Sequence, residues 1–339
     1  NPEDARANVA LASDLKNSGD EKGYLTSIRK ILQNEEAGID LKINELMPFV
    51  KKLQRSQDER GLEELLDLIA ILEKTNPDEA KSYALHADVL MLAGRDEEAI
   101  EKYKQTLERD ESNFLVWEQL LMLQADHNQM EDLAKYSAQA MEIFPNQAML
   151  YYLNGLANIN LHRYDEAQDG LDQAVFMAGS NKDLKFNILA LLGKVYHELS
   201  DFESSSTSYE EAMMIKPADP NVLNDYSYHL ALRGEQLPEA EKMVEKALKK
   251  DPQNPRFLAT KSWINHRMQK SDAALNLMEE AIKAGGNNYS YILEKYGDLL
   301  FNQGEIDKAI KHWEMALEKG GGSKLLERKI KEENLIEEQ

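Results

Sequence analysis

The run ILEKYGDLLFNQGEIDKAIKHWEMALEKGGG, residues 292–322, decides the class of fold. It holds a small residue in a first segment (Gly297), a glycine where that segment should end (Gly304) and an alanine just past a short polar turn (Ala309). A second alanine, Ala316, follows seven residues later. The same punctuation recurs along the chain. Ala99, Ala167, Ala240 and Ala274 each follow a polar turn, and Thr106, Ala174, Ala247 and Ala281 lie seven residues beyond them. Pro77, Pro145, Pro217 and Pro252 keep step; the first two are 68 residues apart, twice a 34-residue period.

A 34-residue frame covers the chain of 339 residues, with repeats starting at Ala5, Leu46, Ala80, Phe114, Ala148, Phe186, Pro220, Pro255 and Ser290. Short inserts fall before Leu46, before Phe186, near Gln236 and at Tyr289. Position 27 of the frame is Ala in six of nine repeats. Position 8 is mostly small (Ala12, Ala87, Gly155, Gly193, Ser227, Ser262, Gly297), and position 4 is large (Phe49, Tyr83, Trp117, Tyr151, Leu189). Each repeat therefore reads as two helices. Apolar residues three, four and seven apart give each helix one sticky face, as Leu189, Gly193 and Tyr196 do. Small residues let two helix backbones approach, and large ones fill the space beside them. A helix pair of this size cannot bury its faces alone, so neighbours must stack into an all-α solenoid.

Gly19, Gly94, Gly234 and Gly304 are expected as left-handed caps of first helices, and the prolines as stops of second helices. The insert near Ile39–Leu46 is two helical turns long and is expected to extend a first helix; Pro48 then falls inside that helix or at its start, where it would kink or restart it, and both readings stay open here. Lys324 to Glu338 is expected to form an amphipathic capping helix, with Gly320-Gly321-Gly322 as the hinge into it. Asn1-Pro2 fits the end of a preceding repeat, so the chain is expected to begin inside a longer array. The predicted organisation is a four-residue tail (1–4), two degenerate repeats (5–79), three repeats (80–181), four repeats (182–323) and the cap (324–339).

Composition narrows the function. Lys+Arg is 40 against Asp+Glu 61, a net charge of −21, which opposes binding to nucleic-acid phosphates. No apolar run is long enough to span a bilayer. Without cysteine there is no disulfide, thiolate nucleophile or Cys-ligated metal. The seven histidines form no His-Glu-x-x-His pair, and Asp96-Glu97-Glu98 and Asp165-Glu166 sit where helix N-termini favour acids. No phosphate-binding glycine loop or Gly-x-Ser-x-Gly elbow occurs. No cofactor or metal site is expected, and no catalysis by this chain.

The period and residue pattern resemble the tetratricopeptide repeat family, strongly from Ala80 to Ser323 and weakly in the second repeat, where Leu53, Leu65 and Leu72 replace small residues. The stretches NVLNDYSYHLALRGEQLPEAEKMVEKALKKDPQNP and ILEKYGDLLFNQGEIDKAIKHWEMALEKGGGSKLLERKI are similar to closing repeats of large proteins of this family in Gram-negative bacteria, several of them envelope lipoproteins or assembly scaffolds. The resemblance implies a right-handed superhelix whose first helices line a concave face, with positions 2, 5, 9, 12 and 13 pointing into it. These positions nominate a groove of Tyr152, Asn187, Lys194, His197, Asn224, Tyr228, Arg256, Trp263, His266 and Arg267, turning acidic at Glu294 and Asp298 beside Tyr291. Arginine and aromatic side chains dominate interface energies. A protein or peptide partner bearing a carboxylate is expected, and Trp263 and the arginines have packing or charge balance as the alternative role. Position 9 lacks the Asn of a chaperone-tail clamp, and position 6 lacks an asparagine ladder.

The resulting expectation is a non-enzymatic adaptor, periplasmic or outer-membrane-associated, with a cytoplasmic site as the alternative. A recruiting arm of an enzyme whose catalytic part lies elsewhere is the second reading. Self-assembly through exposed array ends is the third.

Overall fold

The structure is a computed structural model and describes residues 5–56 and 59–336, so the expected 1–4 tail lies outside the described residues. The described residues form helices, in two compact units that divide between Arg163 and Tyr164. That division falls between the two helices of the fifth repeat.

The first unit contains α1 (Ala5–Ser18), α2 (Glu21–Gln33), α3 (Ile39–Ser56), α4 (Glu59–Thr75), α5 (Ala80–Leu92), α6 (Asp96–Leu107), α7 (Phe114–Asp126), α8 (Met130–Ile143) and α9 (Ala148–Asn160). The second contains α10 (Tyr164–Met177), α11 (Lys182–Glu198), α12 (Phe202–Ile215), α13 (Pro220–Arg233), α14 (Leu237–Lys250), α15 (Pro255–Arg267), α16 (Ser271–Lys283), α17 (Ser290–Asn302), α18 (Ile306–Glu318) and α19 (Leu326–Glu332).

Seven of the nine first helices begin on the residue the 34-residue frame names. The other two begin early because their inserts are helical. α3 starts at Ile39, ahead of Leu46, and runs through Pro48 without a break; α11 starts at Lys182, ahead of Phe186. The insert near Gln236 is taken up in the turn instead, with Gln236 left-handed at φ 44°. Pro77, Pro145, Pro217 and Pro252 each lie two residues past the end of a second helix. Asp219 and Asn254 cap the helices that open on Pro220 and Pro255, accepting from backbone N–H groups in the first turn.

The close-packed seam follows the frame. Ala12, Ala87, Leu121, Ser227 and Ser262 at position 8 are fully buried, as are Ala140, Ala174, Ala212, Ala247, Ala281 and Ala316 at position 27. A Cβ on Gly193 would lie 2.7 Å from the Tyr209 ring, and one on Gly297 would lie 2.5 Å from the Trp313 ring and 2.9 Å from the Ala309 carbonyl oxygen. Ser205 Oγ donates to the Gly193 carbonyl at 2.7 Å and Ser262 Oγ to the Ala274 carbonyl at 2.6 Å, tying the two helices of a hairpin at their point of closest approach. In the second repeat Leu53, Leu65 and Leu72 are buried in the N-terminal core.

The turn between the two helices of a repeat has a left-handed residue at position 15 in eight repeats. Gly19, Gly94, Gly234 and Gly304 fill it as expected; Asn128, His162, Ser200 and Gln269 fill it in the other four, at φ 55–63°. The C-terminal helix is shorter than Lys324 to Glu338: it covers Leu326–Glu332, ends on left-handed Glu333, and returns Leu335 to the core of α17 and α18.

Candidate functional site

The first helices of the second unit, α11, α13, α15 and α17, bring some of the nominated side chains together at their junctions and leave others exposed. At the α13–α15–α17 junction Arg256 Nη2 pairs with Asp225 Oδ1 at 2.7 Å and also bonds the Tyr291 hydroxyl. Asn224 is buried, and its Nδ2 donates to the same Asp225 oxygen at 3.0 Å. Tyr291 has its ring 5.9 Å from Tyr228 and 6.1 Å, edge-on, from Tyr289. Burial pushes the Tyr228 phenol up and the Tyr291 phenol up to about 12, so both are neutral hydrogen-bonding groups at pH 7.

At the α11–α13 junction His197 and His229 stack face to face, 3.9 Å apart and 5° from parallel. His229 Nδ1 meets the Tyr209 hydroxyl at 3.1 Å. The Phe202 ring lies 5.6 Å from His197, tilted by 41°, and the Arg233 guanidinium lies 5.0 Å from the Phe202 ring. Burial, then the charge of Arg233, lowers His197 to about 4. Burial and the neighbouring His197, Lys194 and Arg233 hold His229 well below the ordinary imidazole range. Both rings are neutral at pH 7.

At the α15–α17 junction Trp263 is buried, with His266 4.9 Å away and the Lys295 ammonium 4.2 Å over its ring. The acidic end of the nominated groove is sealed. Glu294 and Asp298 are each 2% exposed, and Lys329 from α19 reaches them at 2.7 and 2.8 Å. Ser323 donates its backbone N–H and its hydroxyl to Glu294, and Trp313 Nε1 donates to Asp298 at 2.9 Å. Burial raises the Glu294 carboxyl, but Lys329 and Ser323 outweigh it and the net shift is downward.

Of the lysines and arginines at frame positions of these four helices, Arg233, Arg256, Lys261 and Lys295 are ion-paired. Lys194 and Arg267 are exposed and make no ion pair among the described residues. Arg267 lies over the turn that ends α13: a Cβ on Gly234 would be 2.5 Å from its Nη2. Asn187 is exposed on α11. Tyr152 is half-buried on α9, in the first unit.

The hairpins carry the residue pattern of a known repeat. Family models described as "tetratricopeptide repeat" match residues 186–219 and 266–324. These matches support assigning the chain to the tetratricopeptide-repeat family.

Similar proteins agree on the fold. The chain is 25% identical over 146 residues to tetratricopeptide repeat protein 21A of Mus musculus, a match covering 43% of this chain and 11% of that one. It superposes on a tetratricopeptide repeat protein from Parabacteroides merdae with a TM-score of 0.63 and 12% identity, covering 75% of this chain and 98% of the other. Against the APC/C hetero-tetramer Cut9–Hcn1 the TM-score is 0.56 at 13% identity, covering 97% of this chain and 58% of that one. A tetratricopeptide array of this kind supports a protein–protein interaction scaffold. No helix among the described residues is long and apolar enough to cross a membrane.

Among the residues at the site that the frame did not nominate are Tyr289, Asp225 and His229. Tyr289 sits in an insert, outside any numbered position. Asp225 and His229 occupy positions 6 and 10, which the family pattern does not aim inward. The available signal was charge at a separation of one repeat, since Asp225 and Arg256 are 31 residues apart.

Proposed function

We propose that the chain is a non-enzymatic interaction scaffold and that the first-helix wall of its second unit holds an acidic peptide segment of a protein partner. One observation carries the reading. In a chain of net charge −21, Lys194 and Arg267 remain exposed and without ion pairs among the described residues, while the other frame-position cations of the same helices are matched. Tyr228, Tyr289 and Tyr291 add aromatic surface of the kind that anchors interfaces. Arg256 holds the wall together through Asp225 and Tyr291 instead of waiting for a carboxylate. The envelope setting rests on the resemblance of the closing repeats alone.

The test is charge reversal. Proteins retained by the wild-type chain and by Lys194→Glu/Arg267→Glu are compared after affinity purification from the host and cross-linking. Loss of a specific partner, cross-linked through an acidic segment in the wild type, is the expected result. An unchanged set of partners and cross-links overturns the assignment.

A further inference from the structure

The outward side of the second unit carries a second surface. Phe176 on α10 and Met214 on α12 are the most exposed large apolar residues described, at 93% and 79%. Both occupy position 29 of the frame, in consecutive repeats; the other seven repeats place Gln, Lys or Glu there. A periodic array sets the same position of successive hairpins on the same side, and both helices pack against α11.

The charges around them share one sign. α10 (YDEAQDGLDQAVFM) and α12 (FESSSTSYEEAMMI) contain four and three carboxylates and no Lys or Arg. The other second helices each carry at least one lysine or arginine. Asp165, Asp169 and Asp172 lie eleven, seven and four residues before Phe176, so they share its helical face. Glu203 and Glu210 stand eleven and four residues before Met214 in the same way. The Tyr196 hydroxyl donates to Asp172 at 2.7 Å and the Tyr226 hydroxyl to Glu210 at 3.2 Å, which leaves both charges uncompensated. None of the seven carboxylates is ion-paired among the described residues. Each helix thus offers an acidic stripe ending in an apolar knob.

We propose that this face of α10 and α12 docks a basic amphipathic segment of a protein partner, its Lys or Arg side chains along the stripes and its apolar side chains on Phe176 and Met214. Charge selects this occupant over a second copy of the chain. A two-fold contact would set acidic stripe against acidic stripe in a molecule already at −21.

The probe is a synthetic Leu/Lys amphipathic peptide, compared with a Ser/Lys peptide of equal charge, by fluorescence anisotropy at physiological salt. The wild-type chain is expected to prefer the Leu/Lys peptide by about tenfold, the contribution of partly covering two apolar side chains. Phe176→Ser/Met214→Ser, checked for unchanged melting, loses that preference, and Lys194→Glu/Arg267→Glu keeps it. A preference that survives in the Phe176→Ser/Met214→Ser variant overturns the proposal. So does a wild-type dimer in sedimentation equilibrium that this variant abolishes, since the occupant is then a second copy.

Discussion

The sixth and ninth repeats start from the same parts and dispose of their polar groups differently. Each has glycine at position 8 packed under an aromatic at position 24, Gly193 under Tyr209 and Gly297 under Trp313. In the sixth repeat Tyr209 passes its hydroxyl to His229 on the next repeat's first helix, and Lys194 at position 9 stays in solvent. In the ninth, Trp313 turns back on Asp298 of its own repeat, also at position 9, and the next helix is the short α19. α19 closes that site with the charge of Lys329. The sixth repeat hands a buried polar group to its neighbour, whereas the ninth brings in an ion from outside the period.

The largest expected effect breaks this contrast at the ninth repeat. Lys329→Met leaves Glu294 as a buried unpaired carboxylate and Asp298 with only the longer pair to Lys295 at 3.7 Å, and is expected to cost about 3–5 kcal/mol in chemical denaturation. The triple variant Glu294→Gln/Asp298→Asn/Lys329→Met should recover most of it. If the single variant unfolds at the wild-type denaturant concentration, the clasp contributes nothing. Next come the glycines. Gly297→Ala drives a methyl into both a ring and a backbone oxygen, Gly193→Ala into a ring alone. Overpacking costs about 1–3 kcal/mol, with Gly297→Ala at the upper end, and an inverted order in the two melts would refute the reading of the seam.

The smallest effect sharpens the comparison by pH. His197 titrates near 4 when folded against about 6.5 unfolded. The unfolded chain therefore takes up its proton first. The stability of the sixth and seventh repeats is complete above about 6.5 and declines as pH falls toward 4. Glu294 is lowered, so its contribution is complete above the unfolded value of about 4.3 and is lost only below that. Amide exchange followed against pH should show the α11–α13 junction loosening before α19. An NMR titration placing the His197 midpoint near 6.5 would remove the first half of this ordering.

The fold was legible because it rests on small residues at fixed spacing, and steric exclusion admits few alternatives at Gly193, Gly297 or Ala316. The longer α3 was legible because the insert at Ile39–Leu46 has the length of two helical turns, whereas the short insert before Phe186 gave no sign that α11 would start early at Lys182. The site was less legible. A position in the frame tells which way a side chain leaves its helix, not what meets it there. Arg256 reads as a free cation until Asp225, one repeat earlier, is seen beside it. Glu294 and Asp298 read as an open acidic wall until Lys329 arrives from beyond the period. For Tyr289 and His229 the frame offered no signal at all.

The left-handed residue at position 15 bears on how such a chain ages in evolution. Four turns use glycine, and four hold Asn128, His162, Ser200 and Gln269 in a conformation that L-residues adopt only at a cost. Stacking on both sides dictates the hairpin, and the local residue complies. Drift at this point is therefore forgiven wherever neighbouring layers are well packed, and the four strained corners are an untapped reserve from which a hardier variant can be built without touching either surface.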